Sequence, residues 1–178
     1  MSVTLRPATP DDIPALQALI ADSARGLSRG DYSAAQIEAA IGSAWGVDSE
    51  LIRDQTYFVA ESGGEIVACG GWSRRRTLFG GDQQPGRQSE GLDPDRDAAR
   101  IRAFFVRPDR ARQGIGRVLL ERCEAEARAH GFRAAELMAT LPGQRLYRAC
   151  GYVGEEHVEY PLRDGVTIHF VPMRKDPL

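Results

Sequence analysis

Residues 104–120 read FFVRPDRARQGIGRVLL, and this stretch decides how the chain is understood. An apolar run suited to a strand meets Pro108, passes through a basic turn carrying Gly114 and Gly116, and restarts as a helix with apolar residues at helical spacing. A helix N-terminus presents free N–H groups and the positive end of the macrodipole, which makes such a turn a natural anion site. Gly114 and Gly116 remove Cβ atoms where a bulky anion would approach the backbone. Arg112 and Arg117 flank the turn and can add charge-assisted hydrogen bonds. The plainer alternative is that the glycines only permit a tight turn and the arginines are solvated.

Two familiar phosphate-binding patterns do not fit. A dinucleotide fold needs G-x-G-x-x-G near the first strand, but here the third glycine position is Leu119 and the motif lies in the second half of the chain. A P-loop needs a lysine and a hydroxyl after its second glycine, where this chain has Arg117 and Val118.

The totals frame that turn. The chain has 178 residues, enough for one domain with a real hydrophobic core, and residues 1–178 are read as a single domain. Apolar residues make up 42 % and charged residues 27 %, ordinary globular usage. Lys plus Arg number 23 against 25 Asp plus Glu, a net charge of −2 that gives no reason to expect nucleic acid or a membrane surface as a partner. Cys69, Cys123 and Cys150 are too few and scattered for a disulfide framework, and no Cys/His cluster points to a metal. Without a signal-peptide-like start or an apolar run of membrane-spanning length, a cytoplasmic protein is the expectation.

Along the chain, SVTLRP alternates as a first strand, and TPDDIPALQALIADSA opens a helix with Thr9 as cap, Pro10 in first position and Asp12 as capping-box acceptor. SAAQIEAAIGSA reads as a shorter helix. QTYFVAES and EIVACGGW, joined by a glycine turn, form a hairpin. Residues 74–100 are polar and glycine-rich with little periodicity, which predicts either a functional lid or a poorly ordered loop. Then come strand IRAFFV, helix IGRVLLERCEAEARAH ending before Gly131, strand AAELMAT, short helix GQRLYRAC, and a final antiparallel pair, GYVGEEHVEYPL with GVTIHFVPM. The sum is an α/β (α+β) fold: a mixed, mostly antiparallel sheet of about seven strands flanked by about four helices, with one βαβ crossover over residues 101–140.

FFVRPDRARQGIGRVLLERCEAEARAHGF followed by AELMATLPGQRLYRACGYV resembles the GCN5-related N-acetyltransferase superfamily, in its fourth strand, pyrophosphate loop and third helix, then its fifth strand and the helix carrying a Leu-Tyr pair before Gly-Tyr. VTLRPATPDDIPALQAL is similar to that family's opening strand and helix. The resemblance implies the acyl-CoA N-acyltransferase fold and acetyl-CoA as co-substrate. It also implies transfer of an acetyl group to a primary amine of a small molecule or peptide. On residues, it implies that Phe104, Phe105 and Val106 offer main-chain groups to the pantetheine arm, and that Arg112, Gln113, Gly114, Ile115, Gly116 and Arg117 wrap the pyrophosphate. Thr140 would lie near a cofactor-contacting position, and Tyr147 would protonate the departing thiolate. Ala111 stands where the family often has Gln or Arg, and TLPG at residues 140–143 replaces its usual Asn-x-x-Ala.

Direct attack on a thioester needs no enzyme nucleophile, and Cys123 and Cys150 sit inside helical patterns as small core residues. Candidates for a base are Glu61, Glu136, His157 and His169, each with an ordinary structural explanation, and the base is left unassigned. Arg74, Arg75 and Arg76 beside Trp72 could hold an anionic acceptor. A non-catalytic acyl-CoA-binding sensor on the same fold is the alternative function. Pairing of an open sheet edge into a homodimer is an option the last strands leave open.

Overall fold

A computed structural model describes residues 2–178. Thr4–Pro7 (β1) is followed by a 3₁₀ turn and helix Ile13–Leu27 (α1), then Ala34–Ala40 (α2) and Ser49–Arg53 (α3). Strands Tyr57–Ser62 (β2), Glu65–Ser73 (β3) and Ala99–Val106 (β4) precede helix Ile115–Ala129 (α4). Ala135–Ala139 (β5), Gln144–Ala149 (α5), Val158–Pro161 (β6) and Thr167–Lys175 (β7) complete the chain. The strands form one sheet in the order β1-β2-β3-β4-β5-β7-β6, antiparallel except for the parallel β4–β5 pair. Among the described residues no helix is long and apolar enough to cross a membrane.

The expected α/β sheet is present, with one helix more than the four expected. α3 is short and announced only by Asp48, whose carboxylate accepts from the Glu50 N–H (3.1 Å) as an N-cap. At the chain start Asp12 accepts from the Thr9 N–H at 2.8 Å and is gripped by both terminal nitrogens of Arg6, at 2.8 and 2.9 Å. The capping pair therefore also ties β1 to the turn that starts α1.

Each face of the sheet carries its own core. On one, Leu119, Leu120, Cys123 and Ala127 of α4 pack against Phe58, Val67 and Trp72. On the other, Leu16, Leu19, Ile20 and Ala24 of α1 pack with Ile37, Trp45, Tyr57 and Phe170. Cys69 and Cys123 are buried within these cores, as small core residues should be.

Residues 74–100, expected as a lid or a poorly ordered loop, are neither unpaired nor loose. Their main chain folds back on itself through Arg76 N–H to Glu90 O (3.0 Å), Thr77 N–H to Gln88 O (3.0 Å) and Leu92 N–H to Arg74 O (2.7 Å). The segment also docks on the loop before α3: Asp82 N–H donates to Val47 O and Gly81 N–H to Ser43 O. Charge holds the junction. Arg102 of β4, 2 % exposed, lies 2.6 Å from a carboxylate oxygen of the wholly buried Asp48 and donates to the carbonyls of Thr77 and Gly80. Arg87 donates to the other oxygen of Asp48 (2.9 Å), and Ser89 to Glu50 (2.7 Å). The segment between β3 and β4 and the stretch before α3 thus stabilise each other through an Arg–Asp–Arg core.

Two stability outcomes follow from these contacts. Asp12→Ala should cost about 1 kcal/mol at neutral pH by urea unfolding, the usual worth of a cap. Contact with Arg6 depresses the Asp12 carboxyl from 3.8 to about 2. Its contribution is therefore present above pH 3.8, and the gap between wild type and variant should close as pH falls towards about 2; a pH-independent gap would contradict this. Arg102→Met strands a buried carboxylate and should cost about 3 kcal/mol, with Asp48→Asn added to it recovering part of the loss. A cost below about 1 kcal/mol would show that the ion pair does not hold the junction.

Candidate active site

The site begins with an irregularity in β4. Between the pairs Cys69↔Phe105 and Gly71↔Arg102, two residues of β4, Ala103 and Phe104, face the single Gly70 of β3. Ala103 takes φ +57°, left-handed for a residue with a Cβ, and this is a β-bulge. Gly70 is required there, because a Cβ would meet the Phe104 ring at 2.7 Å. The Tyr57 hydroxyl donates to the Ala103 carbonyl (3.2 Å) and lies 3.1 Å from Cys69 Sγ, so the bulge is pinned from the core. Burial pushes the Cys69 thiol up to about 12 and raises the Tyr57 phenol, so both groups stay neutral.

The bulge turns β4 away from its parallel neighbour. β4 and β5 pair only at Ala99↔Ala135 and Arg100↔Glu136 and then diverge, so the expected crossover is correct in topology while the strands it joins touch only before residue 101. Beyond the parting, the N–H of Arg107 bonds Val67 O on β3. By strand alternation Phe104 and Val106 then present main-chain groups to the open edge. Phe105 keeps its register with Cys69.

A cleft of about 1000 Å³ occupies the parting, lined on one side by Ile115, Gly116, Leu146 and Tyr147 and on the other by Ala24, Trp45, Phe79 and Phe170. At its first side the chain runs through a 3₁₀ turn, Pro108–Arg110, into α4. Main-chain pairing stops at Ala111 N–H, which donates to Pro108 O, and resumes at Val118 N–H, which donates to Gly114 O. Among the described residues, the N–H groups of residues 112–117 therefore have no main-chain acceptor. Arg112 (φ +62°) and Gly114 (φ +84°) curl this run into a concave nest capping the helix N-terminus, with the side chains of Arg112, Gln113 and Arg117 exposed around it. Backbone conformation, spacing and charge here suit a polyanion, and the open β4 edge beside it suits an extended arm with amide groups.

Of the sequence-derived residues, Phe104, Phe105, Val106, Arg112, Gly114, Ile115, Gly116, Arg117, Thr140 and Tyr147 line this one cleft, and Gln113 does not. Tyr147 on α5 stands edge-on to Phe104 (centroids 6.3 Å apart) and to Tyr152 (5.9 Å). Tyr152 is fixed in turn by donating to Glu124 on α4 (3.0 Å). Burial raises the Tyr147 phenol above its usual range, so it stays protonated and available as a donor. The Thr140 hydroxyl accepts from the Gly143 N–H at 3.1 Å, which gives it a local task in shaping the TLPG turn.

The remaining candidates lie elsewhere. Glu136 is held between Arg100 (2.7 Å) and Arg174 (2.6 Å), and Glu61 by Arg6 (2.8 Å). His157 and His169 are exposed on the last hairpin, His169 against Glu159 at 3.0 Å. None of these four, and none of Arg74, Arg75 and Arg76, lines the cleft; Arg75 is committed to Asp54 at 2.7 and 2.9 Å. The carboxylate that does line it, Asp31, drew no notice in sequence, because it sits in a loop without pattern. Arg102 was equally readable as an odd charge in an apolar strand, a residue that demands a buried partner. Among the described residues no three His, Cys, Asp or Glu side chains gather as a metal site.

Comparison with known proteins places this geometry. Among curated proteins the chain has no significant match. A structure described as a GCN5-related N-acetyltransferase (aminotransferase, class II) from Rhodopseudomonas palustris superposes with TM-score 0.72 at 21 % identity, covering 99 % of this chain and 96 % of that one. PaiA N-acetyltransferase from Thermoplasma acidophilum, in complex with coenzyme A, gives TM-score 0.66 at 15 % identity over 99 % of both chains. YncA from Salmonella typhimurium, with its cofactor acetyl-CoA, gives 0.65 at 16 % identity over 99 % and 94 %. At these identities the likeness is one of fold, that of the acyl-CoA N-acyltransferases. The model of the acetyltransferase (GNAT) family matches residues 22–152, and with that match over most of its length the chain belongs to this family.

Proposed function

We propose that this protein transfers an acetyl group from acetyl-CoA to a primary amine by direct attack on the thioester. The observation that carries this reading is the run of unpaired N–H groups at residues 112–117, set at a helix N-terminus beside the open edge of β4. That combination suits a pyrophosphate joined to an amide-bearing arm better than a simple anion. Family membership and a neighbour solved with coenzyme A support the same cofactor.

Acetyl-CoA supplies a thioester whose carbonyl carbon is open to the amine. The chain's residues then have three tasks. Main-chain N–H groups at the open edge next to the bulge are fixed donors for the oxygen that gains charge as the amine adds. The nest and its arginines hold the diphosphate, so the reacting carbonyl is placed without loss of freedom at each turnover. Tyr147, neutral through the physiological range, donates towards the sulfur as the carbon–sulfur bond breaks, and its proton is restored from solvent.

The amine must itself shed a proton, since its pKa is about 10. The titratable groups on the cleft lining are Tyr147, the arginines and Asp31, and none of them is placed as a dedicated base. Transfer of that proton to water is the step this arrangement leaves to solvent. The lack of a dedicated base is also what favours the second reading, an acyl-CoA sensor that binds without turnover.

The two readings separate on Tyr147→Phe. For an enzyme, kcat should fall about 100-fold with acetyl-CoA affinity unchanged, the usual worth of a positioned acid. An unchanged kcat would remove Tyr147 from the chemistry, and binding of acetyl-CoA with no acetylation across a panel of amines would favour the sensor.

A further inference from the structure

The cleft is electrically divided along its length. Towards α4 and α5 it is lined by Arg112, Arg117, Arg145 and Arg148, and Arg110 of the 3₁₀ turn before α4 lines it as well. Towards α1 the lining is Ser23, Ala24, Leu27, Ser28, Trp45 and Phe79, and the charge present there without an ion partner among the described residues is the exposed carboxylate of Asp31. Three arginines near that end are already engaged: Arg102 and Arg87 with Asp48, and Arg75 with Asp54. A substrate carboxylate would meet the like charge of Asp31 there.

Shape adds a second constraint. Phe79 belongs to the segment between β3 and β4, yet its ring packs on Tyr160 of β6 (4.6 Å) and Phe170 of β7 (5.7 Å). In strand order β5 lies between those positions, so residues 78–80 pass over the β4–β5 parting and roof this end of the cleft. Beneath, Trp45 and Phe170 form a wall with ring centroids 6.3 Å apart, backed by the buried Tyr32 at 5.7 and 6.4 Å. Such a wall accepts a flat apolar body edge-on and offers few partners to the main-chain amides of a peptide.

From the charge division and the aromatic roof we infer that the acceptor is a small primary amine with an apolar, ring-sized body and no carboxylate, drawn in by Asp31. This rests on the acetyltransferase reading and narrows it: it replaces the anionic acceptor that Arg74, Arg75 and Arg76 brought to mind, and it sets peptides aside. The field of Asp31 steers a cationic amine inwards and repels an acid, while the rings select its body.

The test compares 2-phenylethylamine, phenylalanine and the dipeptide amide Phe-Ala-NH₂, following CoA release by the full-length protein, with acetyl-CoA binding measured separately by calorimetry. The expected result is a kcat/KM for 2-phenylethylamine roughly tenfold or more above the other two. Asp31→Asn should narrow its lead over phenylalanine several-fold, and Phe79→Ala should raise its KM while leaving acetyl-CoA affinity unchanged. Equal or better use of phenylalanine or the dipeptide overturns the inference, as does acetyl-CoA binding with no acetylation of 2-phenylethylamine. Absence of acetyl-CoA binding overturns the underlying reading as well, and so the two failures are told apart.

Discussion

The molecule depends on the parting of two parallel strands. Sheet strands gain their stability from pairing, and β4 gives up pairing with β5 after Arg100. What holds the strands apart is local: Ala103 in a left-handed conformation costs about 1 kcal/mol for a residue with a Cβ. The surrounding core makes good that strain through Tyr57, through the space left by Gly70 and through the edge-on contact of Phe104 with Tyr147. The result is exposed main-chain polarity in the middle of a sheet, a position where proteins normally leave none. Such polarity is stable only where water or a ligand completes it.

Around that parting the two halves of the chain do different work. The α4 face builds its anion nest from backbone geometry, with arginine added at the rim. The α1 face builds a wall from side chains drawn from α1, the loop after α2, the excursion between β3 and β4, and β7. The Asp48–Arg102–Arg87 cluster joins these contributors, so a buried charge network does the structural work that a longer apolar core would otherwise do. Its carboxylate Asp48 also pairs with both Arg87 and Arg102 beside the α1 side of the cleft.

How much of this was legible follows from where the determinants sit in the chain. The nest is contiguous, so its glycines and arginines could be read directly from residues 112–117, and the Tyr147 helix stood out through its sequence neighbours. The order of elements along the chain was accessible because strand and helix periods are distinct after residue 55. The α1 side of the cleft is assembled from single residues far apart in sequence, Asp31, Trp45, Phe79 and Phe170, and no local pattern announces such a set. The bulge was invisible for another reason: Ala103 is a residue that alone gives no hint of positive φ, and the strain is imposed by its partners. Glu61, Glu136, His157 and His169 were drawn into consideration by residue type, whereas their placement beside arginines or on the outer hairpin is a tertiary fact.

The central claim, that the turn into α4 clamps the diphosphate of acetyl-CoA, is tested most directly by calorimetric titration of wild type and Gly116→Glu with acetyl-CoA. A glutamate there places charge and bulk beside the nest, its Cβ 3.0 Å from the end of the Leu146 side chain, which can give way, while an acidic residue in the first turn favours the helix, so the fold is expected to survive. The account predicts micromolar binding by the wild type and none by the variant, with unchanged thermal unfolding. Binding by the variant as tight as the wild type's, or no binding by either, would contradict it.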